Sequence, residues 1–114
     1  MQYYSTNKIS PKVSFKEATI LGQAPDKGLY FPQQIPALSI NLLHSLKQIS
    51  KADVAFEVIR PYVGGTIPDN ELWEICKHTV NFDFPLAAVN KNISVLELFH
   101  GPTLAFKDVV VSSL

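Results

Sequence analysis

Apolar residues recur at helical spacing through the first two thirds of the chain, and each such run is preceded by a capping signal. Ser14 and Glu17 have the S-x-x-E spacing of a capping box, in which a hydroxyl and a carboxylate satisfy the orphan N–H groups of a helix start. They predict a short helix over Phe15–Leu21, closed by Gly22. Over residues 39–49, Leu42, Leu43, Leu46 and Ile49 fall on one helical face, with Ser39 as the predicted N-cap. Ser50 and Asp53 repeat the capping signature ahead of Val54, Phe56, Val58, Ile59 and Tyr62. Pro61 lacks an N–H and crowds the carbonyl four residues back, so it is expected to kink or end that helix, with Gly64-Gly65 completing the break. Asp69 is predicted to cap a further helix whose stripe is Leu72, Ile75, Cys76, Thr79 and Val80, with Trp73 at its flank.

The remaining apolar runs read as strands. Ala24-Pro25-Asp26-Lys27-Gly28 is a turn sequence, and it leads into Leu29-Tyr30-Phe31, which Pro32 ends. Past Pro85, residues 86–89 and 93–99 are strand-like and flank the polar Asn90-Lys91-Asn92, the pattern of a hairpin. His100-Gly101-Pro102 breaks the second strand, and Thr103 is predicted to cap a new helix through Leu104, Ala105, Phe106 and Lys107. The fold class is therefore α/β, a helical region with short strands.

Composition narrows the function classes. At 114 residues the chain has material for one core, and 46% hydrophobic with 18% charged residues is too apolar for intrinsic disorder. Ten basic and ten acidic residues cancel with no Lys/Arg cluster, so neither nucleic acid nor a membrane surface is an expected partner. The start of the chain lacks the pattern of a signal peptide, and no stretch has the length to span a bilayer. A lone cysteine cannot pair within the chain and no Cys/His spacing matches a zinc site, so no metal is expected and a reducing, cytoplasmic setting fits best.

Most candidate chemical groups have structural explanations. Gly64-Gly65 is followed by Thr-Ile-Pro, which makes it a turn and not a phosphate loop. His44 and His78 have no partner at ligand spacing, and Cys76 belongs to an apolar stripe. Tyr30, Phe31, Phe56 and Trp73 are more simply core than ligand platforms. Lys107 differs, because it lies in an apolar strand-to-helix junction with Leu104, Ala105, Phe106 and Val109 around it. Burial among them and the positive end of a helix both disfavour an ammonium group and would expose the lone pair that Schiff-base chemistry needs. Spacing by itself leaves a reactive lysine and an ordinary surface lysine both open.

The segments Tyr3-Tyr4-Ser5-Thr6-Asn7, Ala24-Pro25-Asp26-Lys27-Gly28-Leu29-Tyr30 and Leu98-Phe99-His100-Gly101-Pro102-Thr103-Leu104-Ala105-Phe106-Lys107-Asp108 resemble, in that order, the N-terminal segment of the threonine synthase family. The last is the most specific. The resemblance implies the start of a fold type II, tryptophan-synthase-β-like enzyme dependent on pyridoxal 5'-phosphate (PLP). It also implies a lyase of threonine biosynthesis that converts O-phospho-L-homoserine and water to L-threonine and phosphate. Lys107 then takes the position of the Schiff-base lysine, as both catalytic and cofactor-binding residue. It further implies an N-terminal domain over residues 1–84 and the start of a PLP-binding catalytic domain over 85–114.

The family pattern continues past Asp108 with a Phe-Gly/Ala-Arg-Phe type of helix, whereas this sequence has Val109-Val110-Val111-Ser112-Ser113-Leu114, whose β-branched run is poor helix material. The family's glycine-rich loop for the PLP phosphate and its substrate-phosphate site lie further downstream. The chain is thus expected to be inactive alone and to self-associate through the open edge of its 93–99 strand. The alternative is a stand-alone module that kept this fold, lost catalysis and serves protein interaction. A natural reading frame that continues into a glycine-rich loop favours the first reading, and a natural stop favours the second.

Overall fold

The computed structural model describes residues 1–108. The predictions about residues 109–114, including their poor helix propensity, lie outside the described residues. β1 (Gln2–Ser5) is the central strand of an antiparallel sheet of order β2-β1-β3, with β2 at Val13–Ser14 and β3 at Tyr30–Pro32. Tyr3 lies opposite Val13 on one side and Pro32 on the other. Tyr3 and Ser5 are buried, two residues apart, as the period of a strand requires. Neither β1 nor β2 was predicted; β3 was, displaced by one residue.

α1 (Phe15–Leu21) starts on the capping box read from the sequence. Glu17 N–H donates to Ser14 Oγ at 3.2 Å, and Ser14 N–H donates to Glu17 Oε2 at 2.8 Å. Gly22, at φ 68°, closes the helix. α2 (Ile40–Ser45) has Ser39 as its N-cap but ends well short of residue 49. Two causes are visible: the Ser45 hydroxyl donates back to the Leu42 carbonyl at 3.1 Å, and Leu43 and Leu46 stay exposed with no packing gain to extend the helix.

α3 (Lys51–Val63) has the second capping box, Ser50 with Asp53, and runs through Pro61 to a left-handed stop at Gly64 (φ 63°). Pro61 neither ends the helix nor marks its boundary, because burial of Val63 holds the last turn in place at the cost of a single backbone bond. The buried face of α3 is Ala52 and Val63 with Phe56 half-buried, while Val58 and Ile59 of the predicted stripe are exposed. α4 (Asp69–Thr79) is N-capped by Pro68, not Asp69; the Asp69 carboxylate instead pairs with Arg60 at 2.6 Å. Leu72, Cys76 and Thr79 are its buried face, and Ile75 is exposed.

The core is small: Val63, Leu72 and Cys76, with Phe15, Ala55, Phe56 and Ile67 packed against them. Trp73 Nε1 donates to Asp53 Oδ1 at 2.9 Å and locks α4 to the first turn of α3. The sheet joins this core where the Tyr3 ring meets Phe15 at 6.1 Å and its hydroxyl donates to the Tyr62 carbonyl at 3.0 Å. β4 (Leu86–Ala88) and β5 (Ser94–Leu96) form the predicted hairpin, with shorter strands than the sequence suggests. Its turn is held by Asn90 Oδ1, which accepts from the N–H groups of Asn92 and Ile93 at 2.9 and 3.0 Å. The radius of gyration is 16.5 Å, above the roughly 13 Å of a close-packed chain of this length. Leu86, Val89, Val95 and Leu96 of the hairpin are exposed.

Candidate functional site

The segment that carries Lys107 begins where β5 ends. Glu97 N–H donates to the Pro85 carbonyl at 2.9 Å, and Glu97 Oε2 lies 2.7 Å from His100 Nε2, with Phe99 stacked on the imidazole at 4.6 Å. His100 also faces a shallow cleft of about 400 Å³ with Lys51, Asp83, Phe84 and Pro85. Lys51 ties this region to α3: its ammonium pairs with Asp83, donates to the Phe82 carbonyl at 3.2 Å and lies 5.2 Å from the centre of the Phe84 ring. The ammonium holds the Asp83 carboxyl below its usual range, first by hydrogen bonding and then by charge.

From Gly101 onward the backbone forms two successive turns, closed by Leu104 N–H to the Gly101 carbonyl and Asp108 N–H to the Ala105 carbonyl, both at 3.0 Å. The predicted helix over Leu104–Lys107 is absent. Leu104 sits at φ 57°, which a right-handed helix cannot contain, and Thr103 caps nothing. The Thr103 hydroxyl and N–H instead both donate to the Asp108 carboxylate, the N–H at 2.8 Å. Asp108 is buried and its carboxyl is held below the usual range, chiefly by the Thr103 hydroxyl and least by the charge of Lys107. Gly101 is buried beneath it: a Cβ there would stand 2.5 Å from Asp108 Cβ. Lys107 is exposed, as are Leu104 and Phe106, which corrects the expectation that its neighbours would draw it inward.

The two other family motifs meet each other. Ser5, fully buried, donates to Asp26 Oδ1 at 2.6 Å, and the carboxylate also accepts from the N–H groups of Ile9, Ser10 and Gly28. These donors, the hydroxyl first, push the Asp26 carboxyl far below its usual range against the opposing effect of desolvation. The sequence read Asp26 as a turn residue and Thr103 as a helix cap, and named Ser5 and Asp108 only as motif letters. A carboxylate that will gather several donors leaves no periodic signal.

PLP needs an amine for its aldehyde, donors for its phosphate and a partner for its pyridine nitrogen. Lys107 Nζ, exposed on a turn of fixed backbone, meets the first need. The helix starts do not meet the second. Ser14, Ser39 and Ser50 occupy N-terminal donors of α1, α2 and α3, and the start of α4, which no side chain caps, carries Asp69 and Glu71, which repel an anion. The described residues therefore fit the anchoring of PLP and not its phosphate.

The lesser candidates keep structural roles. Cys76 is buried and its burial pushes the thiol pKa up, while His44 and His78 are exposed. Among the described residues no cluster of His, Cys, Asp and Glu could hold a metal ion, and no helix is long and apolar enough to cross a membrane.

This is a mixed helix-and-strand domain followed by a turn-locked lysine segment, and residues 2–80 match the family model described as threonine synthase N terminus. The chain belongs to the threonine synthase family. It is 38% identical over 119 residues to threonine synthase of Pseudomonas aeruginosa, covering 100% of this chain and 25% of that protein. The crystal structure of PLP-bound threonine synthase from Brucella melitensis superposes with a TM-score of 0.88 at 39% identity, covering 96% of this chain and 25% of that one. The Escherichia coli threonine synthase structure gives 0.85 at 32% identity, with 95% and 25% covered. The chain thus spans about a quarter of the length of the relatives it matches, and its fold is that of their N-terminal region.

Proposed function

We propose that this chain is the N-terminal portion of a PLP-dependent threonine synthase, a cytoplasmic lyase of threonine biosynthesis acting on O-phospho-L-homoserine, and that Lys107 is the residue to which PLP attaches. The observation that carries the reading is the exposed Lys107 amine on a fixed turn, in a chain whose whole length matches a threonine synthase. On this reading residues 1–84 are an N-terminal domain and residues 85–114 begin the PLP-binding domain.

When bound, PLP supplies the electron sink for carbanion chemistry at the substrate. The part of this chain is narrower: it presents one amine, which anchors the cofactor and, once released, is placed to move protons between substrate carbons. The phosphate cradle and the group facing the pyridine nitrogen come from sequence outside residues 1–108. The exposed apolar hairpin is then a surface that a larger sheet covers, and in isolation it drives self-association. The same surface supports a second reading, a non-catalytic interaction module.

The test is borohydride reduction of the full-length enzyme that carries this segment, followed by peptide mapping. A pyridoxyl adduct on Lys107, lost with threonine formation in Lys107→Ala, is the expected result, and an adduct on another lysine rejects the site.

A further inference from the structure

Three features coincide within eight residues of chain. Leu104 holds a left-handed backbone, which a branched side chain adopts only where its surroundings enforce it. The Asp108 carboxylate receives both the hydroxyl and the N–H of Thr103, closing a ring from residue 103 to residue 108. Gly101 lies so close under that carboxylate that any side chain there would displace it. Asp108 is buried, whereas Leu104, Phe106 and Lys107 on the outside of the ring are exposed. The polar interior of the ring is satisfied, and its outer face carries the lysine. Strain of this kind persists where a geometry is used.

The geometry points to Thr103 and Asp108 as positioning residues for Lys107: their clasp fixes the turn from which the lysine amine is presented to the cofactor. The inference rests on the assignment of Lys107 proposed above. The clasp acts on the backbone on both sides of the lysine, since Asp108 is its immediate neighbour and Thr103 anchors the opposite end of the ring. With the amine's origin fixed, little chain entropy remains to be lost when PLP attaches. Without the clasp, two backbone turn hydrogen bonds remain to oppose relaxation of Leu104 to an ordinary backbone conformation, Leu104 N–H to the Gly101 carbonyl and Asp108 N–H to the Ala105 carbonyl.

Two measurements test this separately. The first uses the 114-residue chain and reads backbone order by ¹⁵N relaxation at residues 104–107. Order parameters near the rigid value of about 0.85 are expected, falling below about 0.6 in Thr103→Val and Asp108→Asn, with Thr103→Ser restoring the first. Gly101→Ala should produce the same loss while leaving both hydrogen-bonding groups in place. Amide shifts of residues 2–80, which contain the whole core cluster, report that each variant is folded. Rigid order in Thr103→Val overturns the clasp, and so does a wild-type segment that is already flexible. The second measurement uses the full-length enzyme and reads borohydride-trapped PLP on Lys107. A loss of tenfold or more is expected in Thr103→Val, with recovery in Thr103→Ser. Undiminished trapping with a loosened ring overturns the positioning role and leaves Lys107 standing. Trapping on another lysine in the wild type overturns both.

Discussion

Ser5 Oγ donates to Asp26 Oδ1 at 2.6 Å, joining the end of β1 to the turn before β3 across 21 residues of chain. Two separate segments of the chain thus each supply half of one hydrogen-bonded node. Gly28 completes it, since a Cβ there would meet the Ser5 hydroxyl and stand 2.9 Å from Asn7 N. Gly28→Ala should therefore cost about 1 to 3 kcal/mol through overpacking, read as a lowered urea midpoint with an unchanged slope.

The same node sets an acid limb. The Asp26 and Asp108 carboxyls lie below their unfolded values, so both contribute stability that is fully present above the unfolded pKa of about 3.9 and is lost as pH falls from there toward the folded values. The thermal midpoint should be flat near neutrality and fall below about pH 4, as a differential scanning calorimetry series would record. Asp26→Asn should lower the neutral midpoint and flatten the acid fall. A midpoint that declines equally in that variant assigns the acid limb to other groups.

The caps are the cleanest agreement between sequence and structure. Ser14 and Ser50 each accept from the N–H three residues on, at 3.2 and 3.1 Å. Replacing either by alanine should destabilise the fold by about 0.5 to 2 kcal/mol. Ser50→Ala should be the larger, because it also disturbs Asp53, which holds Trp73 of α4. Equal, negligible shifts of the denaturation midpoint would remove the capping assignments.

Legibility followed the range of the interactions. Capping boxes, the Gly22 and Gly64 stops and the Asn90 turn are settled within four residues, and the sequence shows them. Strand β1 is fixed by partners 10 or more residues away and by Tyr3 reaching Tyr62, so its four residues carry no local signal beyond two tyrosines. Asp69 looked like a cap because local chemistry favours it there, but Arg60 nine residues earlier claims the carboxylate. At the site, the motif pointed to Lys107 and missed its setting. Burial was inferred from apolar neighbours, whereas Leu104 and Phe106 point outward and bury nothing in this chain.

The exposed apolar surface of the hairpin predicts association. Among the described residues β4 and β5 pair only with each other in their sheet, which leaves both outer edges open there beside Leu86, Val95 and Leu96. Light scattering should show mass above that of a monomer as concentration rises. Charged substitutions at Val95 and Leu96 should restore a monomer with little loss of helical signal, since neither residue belongs to the core. A monomer at millimolar concentration without those changes counts against the idea.

The last expectation separates the chain from the enzyme. In the full-length protein, PLP attached at Lys107 should absorb in the visible, and reduction should fix it there. The 114-residue chain should differ, because its described residues offer an amine but no open helix start for the cofactor phosphate: Ser14, Ser39 and Ser50 fill their own helix starts, and Asp69 and Glu71 repel an anion at the fourth. Binding energy is then limited to reversible attachment, which any exposed lysine provides, and Lys8, Lys27 and Lys91 are exposed as well as Lys107. Reduction of the chain with limiting PLP should label several lysines weakly, and peptide mapping would show the spread. A stoichiometric adduct confined to Lys107 would mean that residues 1–114 already contain a cofactor pocket, and the division of labour proposed between this segment and the rest of the enzyme would have to be redrawn.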